Sequence, residues 1–306
     1  MTSSTQLIEL SIVICNYNTA DFLKRCLDNI IGLNIQIAHE IIIVDNNSPD
    51  DSLPIVRANY PKFKLIANTT NRWLTGGFND GMRQAQGQWV CILAPDVFPQ
   101  KGSLETMIDY LQLHTDTGMV SCKTFLPDNT MVRACSKDYS LTLAFLTFTF
   151  LGKIFRQKKY QLFEDFRYND WDRMSSREVE LVYAHLILFR KEALEQAGYF
   201  DENFKLYFSE NDLCRRFLAK GWKTAYVSSA SVYHHERQSV ERSGVDKIAK
   251  IYEEDIYAYY RKYYGVGKAA CLAFLIYCSS ALLSIKNLRP QRMLTLFLIA
   301  PKPKKN

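Results

Sequence analysis

The chain has no Cys-x-x-Cys pair among its eight cysteines and no four ligands at zinc-site spacing, so a structural zinc site is not expected. Several cysteines sit inside apolar runs, as small buried hydrophobes in a reducing compartment do. No glycine-rich triphosphate loop of the P-loop type is present, which counts against a nucleotidyltransferase built on such a loop. There is no internal repeat or low-complexity tract. Residues 1–9 are polar, with no basic start and no long apolar stretch, so a secretory signal is not expected. The net charge is only +6, and its basic residues gather at 153–159 and from Lys286 onward, next to apolar runs. Such clusters suit an anionic membrane surface better than a nucleic-acid groove, so no nucleic-acid partner is expected. No apolar run reaches the roughly 20 residues a spanning helix needs. Residues 269–285, uncharged throughout, come nearest, and a buried helix, an interfacial helix and a marginal span all remain open.

What is present is a repeated ending. Ser11-Ile12-Val13-Ile14-Cys15 stops at Asn16-Tyr17-Asn18, Glu40-Ile41-Ile42-Ile43-Val44 stops at Asp45-Asn46-Asn47-Ser48, and Trp89-Val90-Cys91-Ile92-Leu93 stops at Ala94-Pro95-Asp96. Short continuous Ile- and Val-rich runs read as strands buried on both faces of a parallel sheet. Ligands bind beyond the carboxyl ends of such strands. Two carboxylates and an asparagine should therefore share one rim, which is the expected active site.

Helical segments alternate with these strands. Thr19 is placed to cap a helix presenting Phe22, Leu23, Cys26, Leu27 and Ile30 on one face, residues 76–86 form a short helix carrying Asn79, and 102–114 form another. Strand character continues at 64–66, 118–122, 179–189 and 224–228. The apolar, aromatic stretch 141–151 is either a core element or a membrane-contacting segment. Beyond Ser239 the chain is helical and tyrosine-rich. The expected division is an α/β domain over 1–240 and a helical apolar and basic segment over 241–306.

Asp96, at a buried strand's end, needs a partner for its charge, either the next turn's backbone or a divalent cation on phosphate oxygens. Asp45 either closes a turn or hydrogen-bonds a base or ribose. Ser209-Glu210-Asn211-Asp212 approximates a capping box, and a carboxylate on a helix terminus is also held rigidly enough to act as a base. His234, after a strand, is either solvated or a metal ligand beside Asp96.

In order, these pieces resemble the family 2 glycosyltransferases, especially their bacterial rhamnosyltransferase-like branch. The segments are Ser11 through Asn18, Ile43 through Ser48, Asn71 through Gly81, Leu93-Ala-Pro-Asp96, Phe189 through Leu194 and Gly198 through Glu202. The most specific is Tyr207-Phe-Ser-Glu-Asn-Asp-Leu-Cys-Arg-Arg216, followed by Gly221-Trp222 and Val232-Tyr-His234.

The resemblance implies a GT-A fold: a Rossmann-like, mostly parallel sheet flanked by helices, with a membrane-proximal helical tail. It further implies an inverting, metal-dependent transfer from a nucleotide-sugar donor, with dTDP-rhamnose the leading candidate. The acceptor would be a glycan or polyprenyl-diphosphate-linked chain at the cytoplasmic face of the plasma membrane. Asn16, Tyr17, Asp45, Asn79 and Asp96 would line the donor site, Asp96 and His234 would hold Mg or Mn, and Glu210 with Asp212 would form the catalytic acid pair. The sequence departs from the family pattern at Ala94, at Ser209, at Trp73 where glycine is common, at Tyr183-Ala184-His185 and at Glu236-Arg237.

Overall fold

The Ile and Val runs form the centre of one mixed sheet. The computed structural model describes residues 7–235 and 245–285. From the start of that span β1 (Leu10–Asn16), α1 (Ala20–Leu33), β2 (His39–Asp45), α2 (Ser52–Asn59), β3 (Lys64–Ala67), α3 (Trp73–Met82) and β4 (Trp89–Leu93) alternate. Next come β5 (Val97–Pro99), α4 (Ser103–Leu113), β6 (Thr117–Phe125) and the short strands β7 (Met131–Val132) and β8 (Cys135–Ser136). Helices α5 (Leu141–Phe148), α6 (Leu151–Ile154) and α7 (Arg156–Phe166) precede β9 (Arg177–Glu178), β10 (Leu181–Val182) and β11 (Leu186–Arg190). Then follow α8 (Lys191–Ala197), α9 (Ser209–Ala219), β12 (Lys223–His234), α10 (Val245–Tyr264) and α11 (Val266–Ile285).

The main sheet runs β3-β2-β1-β4-β11-β6-β12-β5. Strands β3, β2, β1 and β4 are mutually parallel, β11 is antiparallel to both neighbours, and β12 pairs parallel with β6 and antiparallel with β5. Because β1, β2 and β4 point the same way, Asn16, Asp45 and the turn carrying Asp96 leave the sheet on one rim, as expected. The chain order reverses beside β1, which makes this rim the switch-point crevice.

One hydrophobic cluster packs α1 and α4 on one face of the sheet, and a second packs α3, α8 and α9 on the other. Two glycines let α3 lie close. A Cβ on Gly77 would strike Cys15 Sγ and Asn46 Nδ2, and one on Gly81 would strike Val13 Cγ1.

Three local expectations change. The strand expected over 179–189 is two strands, broken at Tyr183-Ala184-His185. Thr19 stands at the N-cap of α1 but its hydroxyl donates to Asn16 Oδ1 at 2.7 Å, and Asp50 Oδ2 accepts from the Ala20 nitrogen instead. The helix containing Glu210 begins after Phe208, whose φ of 59° is left-handed.

The apolar stretch at 141–148 is core. Ala144 and Phe148 join Phe204, Phe208, Ile256, Tyr259, Tyr260, Ala269 and Leu272 in a third cluster, which seats α10 and α11. The segment that follows is exposed: Ile154 is 65% and Phe155 53% accessible. Lys153, Arg156 and Lys158 beside them are exposed too. Helix α11 buries Ala269 and Leu272 and exposes Val266, Phe274 and Tyr277. Among the described residues no helix is long and apolar enough to cross a membrane. The basic tail from Lys286 and the pair Glu236-Arg237 lie outside the described residues.

Candidate active site

The rim is built first from β1 and β2. Asn16 is fully buried and Asp45 is 1% exposed. Asp45 Oδ2 accepts from Asn16 Nδ2 at 2.9 Å, and its Oδ1 accepts from the Ser48 nitrogen at 2.9 Å. Asn16 Nδ2 also reaches Ser48 Oγ at 3.0 Å. A buried carboxylate must be hydrogen-bonded, and here it ties the ends of the two strands into one floor. Half-buried Tyr17 stands on the edge of that floor. Next to it, Asn46 donates to the Trp73 carbonyl at 2.7 Å and so fastens the start of α3.

The β4 turn meets β12 across β5. Register pairs His234 with Val97, and the His235 nitrogen donates to the Asp96 carbonyl at 2.9 Å. This brings His234 Nε2 within 3.6 Å of Asp96 Oδ2, both side chains nearly buried. His234 Nδ1 is buried and has no hydrogen-bond partner among the described residues. One carboxylate and one imidazole fit a hard divalent cation whose remaining ligands are phosphate oxygens and water. Among the described residues no group of three or more His, Cys, Asp or Glu stands ready to hold a metal unaided. The pair therefore fits a cation brought to completion by a diphosphate.

His185, not assigned from sequence, packs its ring 4.4 Å from that of His234. Its Nδ1 lies 3.3 Å from Thr124 Oγ1. Burial, with a smaller contribution from His234, pushes it down to about 3, so it is neutral at ordinary pH. A polar residue interrupting an apolar strand was the one available signal.

Glu210 is tied to the residue before His185. Its Oε1 accepts from the Ala184 nitrogen at 3.2 Å, and the Ser209 hydroxyl donates to Oε2 at 2.8 Å. Ser209, one of the departures from the family pattern, thus orients the carboxylate. Burial raises the Glu210 pKa above the ordinary glutamate range, against the lowering effect of these hydrogen bonds. Ala184 and His185 are consecutive, about 3.8 Å apart at Cα. Glu210 is thus bonded to the residue that precedes His185, whose ring packs on His234 beside Asp96, so the segment Tyr183-Ala184-His185 links the carboxylate to that pair.

Asp212 and Asn79 do other work. Asp212 is fully buried and is consumed by Arg216 at 2.8 Å, Lys262 at 2.5 Å and the Tyr263 hydroxyl at 2.7 Å. It locks α9 to α10 and lies fully buried under these three partners, out of a substrate's reach, so of the expected pair only Glu210 stays a candidate. Asn79 is likewise fully buried. It exchanges two hydrogen bonds with the Phe200 backbone, at 2.9 and 3.0 Å, and reaches Glu202 at 2.9 Å. It pins the 200–202 loop to α3 instead of facing a donor, which corrects its expected place.

Asp255 also went unassigned from sequence. From α10 it accepts from the backbone nitrogens of Lys205, Leu206 and Tyr207 at 2.8–3.2 Å, shaping the loop that enters α9. Burial holds its pKa above the usual carboxylate range despite those donors.

Comparison with known proteins agrees with this layout. The chain is 24% identical over 251 residues to the N-acetylglucosaminyl-diphospho-decaprenol L-rhamnosyltransferase of Mycobacterium tuberculosis (strain H37Rv), covering 78% of this chain and 80% of that one. It is 24% identical to the chondroitin synthase of Pasteurella multocida over 83% of its own length but only 28% of the synthase. Among solved structures, the mannosyltransferase PcManGT from Pyrobaculum calidifontis, in complex with GDP-Man and Mn2+, superposes with a TM-score of 0.53 at 16% identity, over 95% of this chain and 86% of that one. GalNAc-T7 with UDP, GalNAc and Mn2+ gives 0.55 at 14% identity, over 76% of this chain and 44% of that one. These likenesses establish the GT-A architecture of the sheet. The profile of Glycosyl transferase family 2 matches residues 11–197, more than half of the sequence, and the chain belongs to that family.

Proposed function

We propose that this glycosyltransferase moves a sugar, L-rhamnose from dTDP-rhamnose as the leading candidate, onto a lipid-linked acceptor of the cell envelope with inversion at the anomeric carbon. The observation that carries the reading is the segment at 183–185. Its Ala184 nitrogen donates to the raised-pKa Glu210 carboxylate, and its His185 ring packs on that of His234 beside Asp96, which supports reading the two as parts of one site. An in-line displacement needs that arrangement: a base at the incoming hydroxyl, and neutralisation at the departing diphosphate.

Glu210 takes the acceptor proton at its carboxylate as the oxygen attacks the anomeric carbon. Its partly buried setting raises its basicity, and Ser209 and Ala184 fix its direction. Asp96 and His234 would hold a divalent cation, Mg or Mn, which when bound offsets the charge developing on the leaving nucleoside diphosphate. Asn16, Asp45 and Tyr17 shape the floor on which the nucleoside rests. Support for the metal comes from the two Mn2+ complexes among the structural neighbours, and support for sugar and acceptor from the name of the mycobacterial relative.

A lipid-linked acceptor places the enzyme at the cytoplasmic face of the plasma membrane, as a peripheral or anchored protein. The exposed Ile154 and Phe155, flanked by Lys153, Arg156 and Lys158, have the chemistry for contact with an anionic bilayer.

The test is a panel of nucleotide sugars, with and without Mg or Mn, followed by thermal unfolding and by release of nucleoside diphosphate. A ligand bound only by the folded state raises its melting temperature. Metal-dependent protection and turnover by one donor are expected. Absence of both across the panel would overturn the reading.

A further inference from the structure

Trp73, the first residue of α3, has a φ of 62°. For a bulky side chain this left-handed conformation is a true outlier, whereas glycine adopts it freely. Neighbouring side chains enforce it. Asn71 Oδ1 accepts from the Trp73 nitrogen at 2.7 Å, and Asn46 Nδ2 donates to its carbonyl at 2.7 Å. Among the described residues, the half-buried indole belongs to none of the three hydrophobic clusters.

What meets the ring is a cation. Lys247 Nζ, from α10, lies 4.8 Å from its centroid. Among the described residues no carboxylate pairs with Lys247, which is exposed.

Backbone strain retained beside a cleft is a pointer from structure to function. Through Asn46, Trp73 stands on the rim formed by Asn16 and Asp45. An exposed ammonium resting on an aromatic face there is suited to an anion carried on a nucleoside. We propose that Lys247 binds the diphosphate of the donor and that Trp73 is a positioning residue, holding the ammonium over the rim by its ring. This rests on the donor reading above and names two residues that reading does not use.

The experiment is calorimetric titration of dTDP and of UDP, each with Mg, into the wild type and the variants Trp73→Gly, Lys247→Met and Lys247→Arg, combined with thermal unfolding. Trp73→Gly and Lys247→Met are expected to weaken nucleotide binding about tenfold. Lys247→Arg should restore most of it, and Lys247→Met should flatten the salt dependence. Trp73→Gly, freed of its left-handed strain, should melt at or above the wild-type temperature. Wild-type affinity in both weakened variants would overturn the proposal, as would a lower melting temperature for Trp73→Gly with affinity intact, since the indole would then be a packing residue. If the wild type binds neither nucleotide, the donor reading itself fails and this pair falls with it.

Discussion

The carboxylate of Glu210 accepts a hydrogen bond from the backbone nitrogen of Ala184, 3.2 Å away, in a strand interrupted at that residue. Had the strand continued unbroken, the Ala184 N–H would have been available to the ladder. The interruption frees it to hold a carboxylate that burial would otherwise leave costly to ionise.

The first prediction follows from that burial. With the pKa of Glu210 raised, the acidic limb of kcat/KM for sugar transfer should fall above the ordinary glutamate range, because the base must be unprotonated. The stability signature runs the other way. A folded-state pKa above the unfolded value stabilises at low pH, and that contribution is lost as pH rises through the folded value. Glu210→Gln should therefore be at least as stable as the wild type at pH 8, measured by denaturant unfolding, with its advantage shrinking towards acid. A limb at the ordinary glutamate value would refute the assignment.

Asp212→Asn separates structure from chemistry. It leaves Arg216 and Lys262 without their shared counter-charge, which should cost on the order of 3 kcal/mol in folding free energy. Well below the melting temperature, turnover per folded molecule should stay within about threefold of wild type, since Asp212 is buried under its three partners and out of a substrate's reach. Loss of turnover without loss of stability would return Asp212 to the catalytic pair.

Asp96→Asn tests the metal pair. Removing the charged ligand should weaken metal-dependent binding of a nucleoside diphosphate by at least about tenfold, and EDTA should bring wild type and variant to the same affinity. Equal affinities in the presence of metal would remove Asp96 from the cation site.

Much of this was legible in the sequence because buried parallel strands have a distinctive signature. Unbroken Ile and Val runs ending at Asn16, at Asp45 and just before Asp96 marked both the sheet and the rim these residues share, since a strand's terminus fixes where its last polar residue emerges. The motif around Glu210 likewise marked the acid of α9 that accepts from the Ala184 nitrogen. Asn79 and Asp212 were misread because their partners are remote: Phe200 and Glu202 lie more than 100 residues from Asn79, and Lys262 lies 50 beyond Asp212. No local pattern distinguishes an acid aimed at substrate from one consumed by a later helix. Asp255 was hidden for the same reason, being one acid among several in an amphipathic helix until tertiary structure brings the 205–207 backbone to it.

The exposed segment at 153–158 supports a binding prediction. Lys153→Ala, Arg156→Ala and Lys158→Ala combined should reduce affinity for vesicles containing anionic lipid on the order of 100-fold, at about 1 kcal/mol per charge. Co-sedimentation with anionic and with neutral vesicles measures it. Undiminished binding by the triple variant would move the membrane contact elsewhere.

The most direct test of the whole account compares Glu210→Gln with wild type in two assays: donor affinity by titration, and initial rate of nucleoside diphosphate release with a lipid-linked acceptor. A loss of roughly 100- to 10,000-fold in rate with donor affinity unchanged is expected when a positioned base is removed. Turnover that survives the substitution intact would contradict it.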